Sequence, residues 1–433
     1  MKRRETAAAT SPRIDPQRRL ALQATLAAAL PLLLPARALA QAVPDGAGAA
    51  LAPWQPGWLD IHHLAIGRGN ATLVIFPDGT SLLIDAGAAS GGADVSAATR
   101  PDATRRAGEW VGRYVQRHLR GAHLAALDYL LATHLHPDHV GDVSAQTPAA
   151  PGGAYKLTGI ADVTQMVKVG TLIDRGFPHY DYPSVLIAPF AENYRAFIKA
   201  RVAAGERVEQ FRVGSSGQIA ARGHRAGTLP FEVRNVAANG KVWTGQGGAA
   251  TDHFPPLSSL PAADLPTENG CSTAIRIGYG KFGYFTGGDL TSYTDDGALQ
   301  WRDVLGPAAQ VAGPVSVATA DHHGMFDGLN GDVVRSLRPR AWVVQAWHLA
   351  HPDMLQMERM LSERLYPGAR DVFATNLMPE NFLANERLAR RMASREGHVV
   401  VRVPPGGSHF YVAVTDHRDE ADRVKSVTPL YPA

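Results

Sequence analysis

The chain contains, at residues 133–142, the stretch Thr133-His134-Leu135-His136-Pro137-Asp138-His139-Val140-Gly141-Asp142. It directly follows an apolar run, residues 127–132, that is typical of a buried strand. Coincidence is a poor explanation for three histidines and an aspartate at these spacings, because only 17 of the 433 residues are histidine. Pro137 and the two-residue spacing of His134 and His136 argue against a helix. We therefore expect both imidazoles to project from a loop, where they and a carboxylate can converge on a cation.

The segments around this stretch alternate between short apolar runs and turn residues. Before it, residues 59–66, 71–76 and 81–84 predict an antiparallel meander, and residues 105–120 predict a helix that stops at Gly121. Strands followed by helices, without strict βαβ repeats, favour an α/β sandwich in which helices cover two sheets. After it, further strands are predicted at 170–173, 231–236, 272–278, 281–286, 315–319, 341–345, 398–403 and 409–414, with helices at 191–204 and 353–365.

Residues 237–266 are rich in Gly, Pro, Ala and Ser. This composition predicts a long surface loop over a site.

Composition excludes several classes of protein. The chain is 45% hydrophobic and 19% charged, which is typical of a folded globular protein. It has a single cysteine, Cys271, so neither a disulfide scaffold nor a multi-cysteine zinc module can form. The formal charge is +3: the first 40 residues carry a surplus of five positive charges, and the remainder of the chain has a net charge of −2. Nothing in this balance supports nucleic-acid binding.

The first 40 residues have the pattern of an export signal. Arg18-Arg19 precedes an apolar run, residues 20–34, and Ala38-Leu39-Ala40 matches the small-x-small pattern of a signal peptidase site. The run is too short to span a bilayer. We expect the export machinery to deliver the mature chain, starting near Gln41, to the periplasm or medium, with the twin-arginine route suggested by the paired arginines. An uncleaved anchor and an amphipathic terminal helix are the alternatives.

These observations predict a signal at 1–40, a linker at 41–53 and one folded domain at 54–433 that includes the 237–266 loop. No other segment approaches membrane-spanning length, so we expect the mature chain to have no membrane span.

The His-x-His-x-Asp-His pattern of residues 134–139 resembles the metal-binding signature of the metallo-β-lactamase superfamily. Leu82-Leu83-Ile84-Asp85-Ala86-Gly87, Phe285-Thr286-Gly287-Gly288-Asp289 and Asp321-His322-His323-Gly324 resemble further motifs of that family. The resemblance implies a single-domain αββα sandwich with one or two metals at the sheet edge. It also implies that Asp85 buttresses the metal loop without binding metal.

On this resemblance, His134 and His136 hold a first metal and Asp138 and His139 a second. Asp289 lies between the two metals. His322 completes the second site, and we prefer it to His323 because it lies nearer the end of its strand.

The first site then lacks a third imidazole. Glu268, Asn269, Cys271 or water could replace it, although a lone buried cysteine is more often a packed apolar side chain. Two zinc ions are expected, with manganese as the alternative at an oxygen-rich first site.

Finer features resemble the hydrolase domain of the ComEC/Rec2 competence proteins, as a stand-alone secreted form. Residues 66–71, Ile-Gly-Arg-Gly-Asn-Ala, resemble that group's glycine loop with Asn70 in place of the usual aspartate. Asn269 and Ser272 match its Asn-x-x-Ser motif, found where other members carry the third histidine. The absence of predicted membrane spans and the altered glycine loop argue against DNA uptake.

The resemblance implies an exported metal-dependent hydrolase that uses a metal-bridged hydroxide, with phosphodiesters as the expected substrates. We expect Asp138 to orient the hydroxide and His351 to donate to the oxyanion or leaving group, although His351 before Pro352 is equally typical of a structural histidine. Lactone, thioester or β-lactam hydrolysis is the alternative, as is a metal-binding protein with weakened catalysis. The sequence leaves the substrate and the oligomeric state open.

Overall fold

The computed structural model describes residues 47–223 and 228–433, and all of them belong to one compact unit. The predicted signal at 1–40 and the start of the predicted linker lie outside the described residues. Within these ranges, no helix has both the length and the apolar character needed to cross a membrane.

The described strands form two sheets. In chain order the strands are β1 Leu59–His63, β2 Thr72–Ile75, β3 Ser81–Ile84, β4 Leu127–Ala132, β5 Val169–Asp174, β6 Arg207–Gln210, β7 Phe231–Ala238, β8 Lys241–Trp243, β9 Ala250–Asp252, β10 Ala274–Tyr279, β11 Phe282–Thr286, β12 Val317–Thr319, β13 Ala341–Val344, β14 Asp371–Ala374, β15 His398–Val403, β16 His409–Thr415, β17 Val424–Val427 and β18 Tyr431–Pro432. The first sheet has the order β17-β16-β15-β1-β2-β3-β4-β5-β6, with β18 paired to β16, and the second has the order β14-β13-β12-β11-β10-β7-β8-β9.

The described α-helices are α1 Ala107–Gly121, α2 Pro137–Val140, α3 Ile160–Met166, α4 Pro189–Ala203, α5 Leu305–Ala312, α6 Gly331–Leu337, α7 Met354–Met360, α8 Pro379–Ala384 and α9 Glu386–Ala389. At the start of helix α1, the Glu109 carboxylate accepts a hydrogen bond from the Arg106 backbone N–H at 2.9 Å, which satisfies a donor at the N-cap. Its Tyr114 hydroxyl lies 2.9 Å from His62 Nδ1 on β1, so α1 packs on the outer face of the first sheet.

Two apolar layers hold the sandwich together. The layer between the sheets joins Ile61 and Val401 of the first sheet to Val233 and Tyr284 of the second. The other layer joins the outer face of the second sheet to its helices, and includes Phe285 and Trp342 from strands and Leu305, Val333 and Met357 from helices. This αββα arrangement confirms the fold class predicted from the sequence.

The carboxyl ends of the parallel strands indicate where a ligand site would lie. β3, β4 and β5 run parallel to one another, as do β11, β12 and β13. In open α/β sheets, ligands bind beyond the carboxyl ends of such strands. The segments that follow β3, β4, β11 and β12 carry the motifs around Asp85, His134, Asp289 and His323.

The predicted 237–266 loop is partly a sheet edge. Lys241–Trp243 and Ala250–Asp252 extend the second sheet beyond β7. Three-residue strands are too short to show an alternating pattern, which is why composition alone indicated a loop. The predicted helix at 353–365 is also shorter, because α7 ends at Met360.

Candidate metal centre

His134 and His136 lie in the loop after β4, as the sequence predicts. His134 Nε2 lies 3.1 Å from His136 Nδ1 and 3.6 Å from Asp289 Oδ2. Ligand atoms of these three residues lie close enough together to hold a metal ion. We call them the first ligand group.

Asp138 and His139 lie on the one-turn helix α2 rather than in a loop. The argument from Pro137 concerned only His134 and His136; Pro137 itself occupies the first turn of α2, where its missing N–H costs no hydrogen bond. The helix turns both side chains towards Asp289. His139 Nε2 lies 3.2 Å from Asp289 Oδ1 and 3.5 Å from Asp138 Oδ2.

His323 joins them to form the second ligand group, which consists of Asp138, His139, Asp289 and His323. His323 Nε2 lies 2.9 Å from Asp138 Oδ2 and 3.3 Å from Asp289 Oδ2. Its Nδ1 lies 3.1 Å from the Gln345 carbonyl oxygen, which fixes the ring with Nε2 towards the carboxylates. Asp289 therefore belongs to both groups, at the position expected of a bridging ligand.

The prediction placed His322 in the second group, whereas the structure places His323 there. The segment after β12 does not continue extended: His322, His323 and Gly324 all adopt the left-handed conformation, with φ of 51°, 56° and 73°. This turn brings the second histidine onto the carboxylates. The first histidine lies beside them, with its Nε2 3.9 Å from Asp289 Oδ2.

The buried atoms of the second group fit a metal ion. His139 Nε2, His323 Nε2 and Asp289 Oδ1 are buried and make no aligned hydrogen bond among the described residues, although each nitrogen lies within 3.5 Å of a carboxylate oxygen. Buried polar atoms are normally satisfied. A cation between them would satisfy all three, because imidazole nitrogens and carboxylate oxygens are common ligands of divalent transition metals.

The charges around the second ligand group favour the ionised forms of Asp289 and His323. Burial raises the pKa of Asp289, but the imidazoles of His139 and His323 outweigh it and hold that pKa well below its ordinary value. Burial in turn lowers the pKa of His323, yet Asp289 and Asp138 outweigh it and raise that pKa to about 10. Asp289 is therefore held as a carboxylate, although it is only 2% exposed.

Asp85 supports His139 from behind. Its carboxylate accepts hydrogen bonds from the Thr133 backbone N–H and hydroxyl, both at 2.8 Å, and its Oδ2 lies 2.8 Å from His139 Nδ1. Asp85 is absent from both ligand groups. A carboxylate on Nδ1 leaves Nε2 free to bind metal, which is the usual outer support of a metal-binding histidine.

Gly87, the last residue of the motif at residues 82–87, lies against the backbone of Asp138. A side chain there would put its Cβ 1.8 Å from the Asp138 carbonyl oxygen, so only glycine fits. The same carbonyl accepts a hydrogen bond from the Asn70 backbone N–H at 2.8 Å. The loop at residues 67–70 thus supports the metal loop through its backbone.

Of the residues proposed to replace the third histidine, Glu268 has other partners and Cys271 is fully buried. The Glu268 carboxylate accepts hydrogen bonds from the Leu135 backbone N–H at 2.7 Å and from Arg175 Nε at 2.8 Å. Cys271 is fully buried, and burial raises the pKa of its thiol to about 12. Arg175 was not singled out from the sequence, and its position directly after β5 was the available signal.

His351 packs against the second group. Its ring stacks on that of His323, with centroids 4.7 Å apart and planes at 11°. Burial is the main reason that its pKa is well below the ordinary value. Its Nδ1 accepts from the Trp347 and His348 backbone N–H groups at 3.5 and 3.3 Å. The catalytic roles of His351 and Asp138 stay predictions.

Residues 65–163 match the family model described as "Metallo-beta-lactamase superfamily". The search of curated proteins found no match. Among solved structures, a mutant of the CmlA beta-hydroxylase is 13% identical, with 80% of this chain and 54% of that chain covered and a TM-score of 0.38. The short form of human tRNase Z is 8% identical, with 78% of this chain and 92% of that chain covered and a TM-score of 0.25.

This chain thus spans 54% of the length of the first of these structures. The family match covers the segment that carries the His-x-His-x-Asp-His residues, and the two sheets with outer helices extend the same architecture through the described residues. The described residues form a metallo-β-lactamase-like αββα sandwich.

Proposed function

We propose that the chain is an exported metal-dependent hydrolase that acts on phosphodiesters. The observation that carries this proposal is the pair of ligand groups that share Asp289. Four imidazoles and two carboxylates favour zinc over magnesium or calcium, which bind oxygen ligands. The preference for phosphodiesters has separate support in the resemblance of Asn269 and Ser272 to the motif of the competence-type hydrolases.

When bound, two divalent ions would supply Lewis-acid stabilisation and acidify a water molecule towards neutral pH. In this proposal Asp138, a member of the second ligand group, accepts a hydrogen bond from the attacking water. Because Nδ1 of His351 accepts backbone hydrogen bonds, the proton of its neutral ring lies on Nε2. His351 can therefore donate a hydrogen bond to the oxygen that gains charge, without itself ionising.

The test compares substrates on the zinc-loaded mature protein. Bis(p-nitrophenyl) phosphate, a lactone, a thioester and nitrocefin would be assayed at equal metal content, with Asp289→Asn as the inactive control. We expect the phosphodiester to have the highest kcat/KM. Comparable or faster β-lactam cleavage would contradict the substrate class, and two bound ions without turnover of any substrate would favour a metal-binding protein with weakened catalysis.

Export is the second part of the proposal, and the pattern of residues 1–40 supports it. Mass spectrometry of protein from the native host would give the mature N-terminus. We expect a chain that begins near Gln41 and is recovered from the periplasm or medium. A cytoplasmic chain that retains Met1 would contradict export and leave the hydrolase proposal standing.

A further inference from the structure

His322 is held in one orientation by Asp327. His322 Nδ1 lies 2.6 Å from Asp327 Oδ1, and the two side chains are 16% and 17% exposed. A carboxylate at this distance accepts a hydrogen bond from the Nδ1–H group, so the lone pair of the neutral ring lies on Nε2. This is the arrangement that Asp85 makes with His139 in the second ligand group, where Oδ2 lies 2.8 Å from Nδ1.

The other ring nitrogen of His322 lies between the Asn269 side chain and Asp289. Nε2 lies 3.1 Å from Asn269 Nδ2 and 3.9 Å from Asp289 Oδ2. The same Asp289 oxygen lies 3.6 Å from His134 Nε2. The same oxygen also lies 3.3 Å from His323 Nε2 of the second group, so it is common to both groups. Among the described residues the first group has three members and the second has four, so the first is the group that lacks a ligand.

The other donors near the first group have partners. Glu268 is hydrogen-bonded to Leu135 and paired with Arg175, and the Cys271 thiol is fully buried within a turn at residues 269–271. Asn269 is bonded to His322 itself. None of the three residues considered as replacements carries an imidazole, whereas His322 has one whose Nε2 accepts a hydrogen bond from the Asn269 side chain and lies 3.9 Å from Asp289 Oδ2.

We propose that His322 is the third imidazole ligand of the first group, with Asp327 as its positioning residue, while the adjacent His323 serves the second group. The inference rests on the metal centre of the proposed function. Two neighbouring histidines would thus bind different ions, and the left-handed turn at both residues separates their directions. His322 lies outside both groups of residues whose ligand atoms are already close together, so binding at the first group requires its side chain to leave the Asn269 amide.

The test measures metal binding and not turnover. The full-length mature protein would be stripped with a chelator, reloaded with zinc or cobalt, and titrated against a chromophoric chelator of known affinity. The variants are His322→Ala and Asp327→Asn. His409→Ala is the matched control, because His409 is exposed at the start of β16 and remote from both groups in the sheet.

We expect His322→Ala to weaken one of two sites by at least 100-fold and leave the other within about 3-fold. Asp327→Asn should weaken the same site by about 10- to 100-fold, as for other outer partners of metal-binding histidines. X-ray absorption of the zinc protein should report one fewer imidazole per chain in His322→Ala. The His409→Ala protein should match the wild type, and circular dichroism would verify folding of each variant.

Unchanged affinity at both sites and an unchanged imidazole count in His322→Ala would overturn the ligand inference, whatever happens to turnover. That result would leave the hydrolase proposal intact. Conversely, a wild type that binds two ions but turns over no substrate would contradict the proposed function and leave the ligand test valid. If the His322→Ala protein does not fold, the Asp327→Asn protein tests the ligand proposal by the same measurements of metal affinity.

Discussion

Arg175 and Glu268 form an ion pair behind the loop that carries His134 and His136. Arg175 Nε lies 2.8 Å from Glu268 Oε1, and the two side chains are only 5% and 9% exposed. The same Glu268 oxygen accepts the Leu135 backbone N–H. Arg175 also donates to the Tyr182 carbonyl and the Asn239 side chain. The pair therefore connects the loop of the first ligand group to the segments that contain Tyr182, Asn239 and Glu268.

Removing one partner of this pair should destabilise the protein strongly. Glu268→Gln keeps the shape and an acceptor for Leu135 but leaves a buried, uncompensated guanidinium, a change that typically costs about 3 kcal/mol or more. Urea unfolding of the metal-free protein would measure the loss.

The control for this prediction is the exposed pair of Arg387 and Glu358, whose side chains are 73% and 45% exposed. Glu358→Gln should change stability by less than about 1 kcal/mol, because water screens that pair. If the two variants lose equal stability, the buried pair is not the support described above.

Asp289 should hold both ions. Asp289→Asn removes the one carboxylate common to both ligand groups, so total metal should fall below that of His139→Ala, which affects only the second group. Cys271→Ser should retain most metal, since that sulfur is absent from both groups. Metal analysis of the three purified proteins is the measurement. Full metal content in Asp289→Asn would exclude the bridging role.

Asp85 should tune the second site without binding metal. Asp85→Asn removes the carboxylate that orients His139, and we expect about 10- to 100-fold weaker binding at the second site only. Asp78→Asn is the matched control, because Asp78 is equally buried and bonded to Thr80 but lies at the opposite end of β3. Chelator competition should separate the two variants, and equal metal affinities would contradict the orienting role.

The sequence predicted the fold well because its signals are local. The apolar run at 127–132 is the observed strand β4, and the His-x-His-x-Asp-His spacing survives folding because all four side chains come from one loop and one helical turn. The structure gathers His134, His136, Asp138, His139 and Asp289 into the two groups.

The features that the sequence did not predict depend on backbone turns, on pairs of residues far apart in the chain, and on very short strands. His323 takes the place expected for His322 because consecutive residues adopt left-handed conformations that non-glycine residues rarely favour. Arg175 and Glu268 are 93 residues apart, and no local pattern links them. Strands β8 and β9 have three residues each, below the length at which alternation is visible.

Buried histidines remote from the metal centre should make the fold acid-sensitive. Burial is the main cause that lowers the pKa of His398 to about 3 and those of His118 and His417 to about 4. His118 lies beside His62, Tyr114, Arg117 and Asp422, and His398 accepts a hydrogen bond from the Ala65 backbone N–H at 3.0 Å.

Because these pKa values are depressed in the folded state, the unfolded chain binds more protons below pH 6.5. The contribution of these neutral histidines to the stability of the fold is therefore fully present above pH 6.5 and is lost as the pH falls towards 4 and 3.

His398→Gln keeps a hydrogen-bond acceptor for Ala65 but cannot take up a proton. Its stability should fall less between pH 7.5 and 5.0 than that of the wild type, by about 2 kcal/mol. Urea unfolding at both pH values, with a chelator present throughout to remove the metal contribution, is the measurement. The exposed His409→Gln variant should follow the wild type, and an identical pH dependence in His398→Gln would show that His398 does not cause the acid sensitivity.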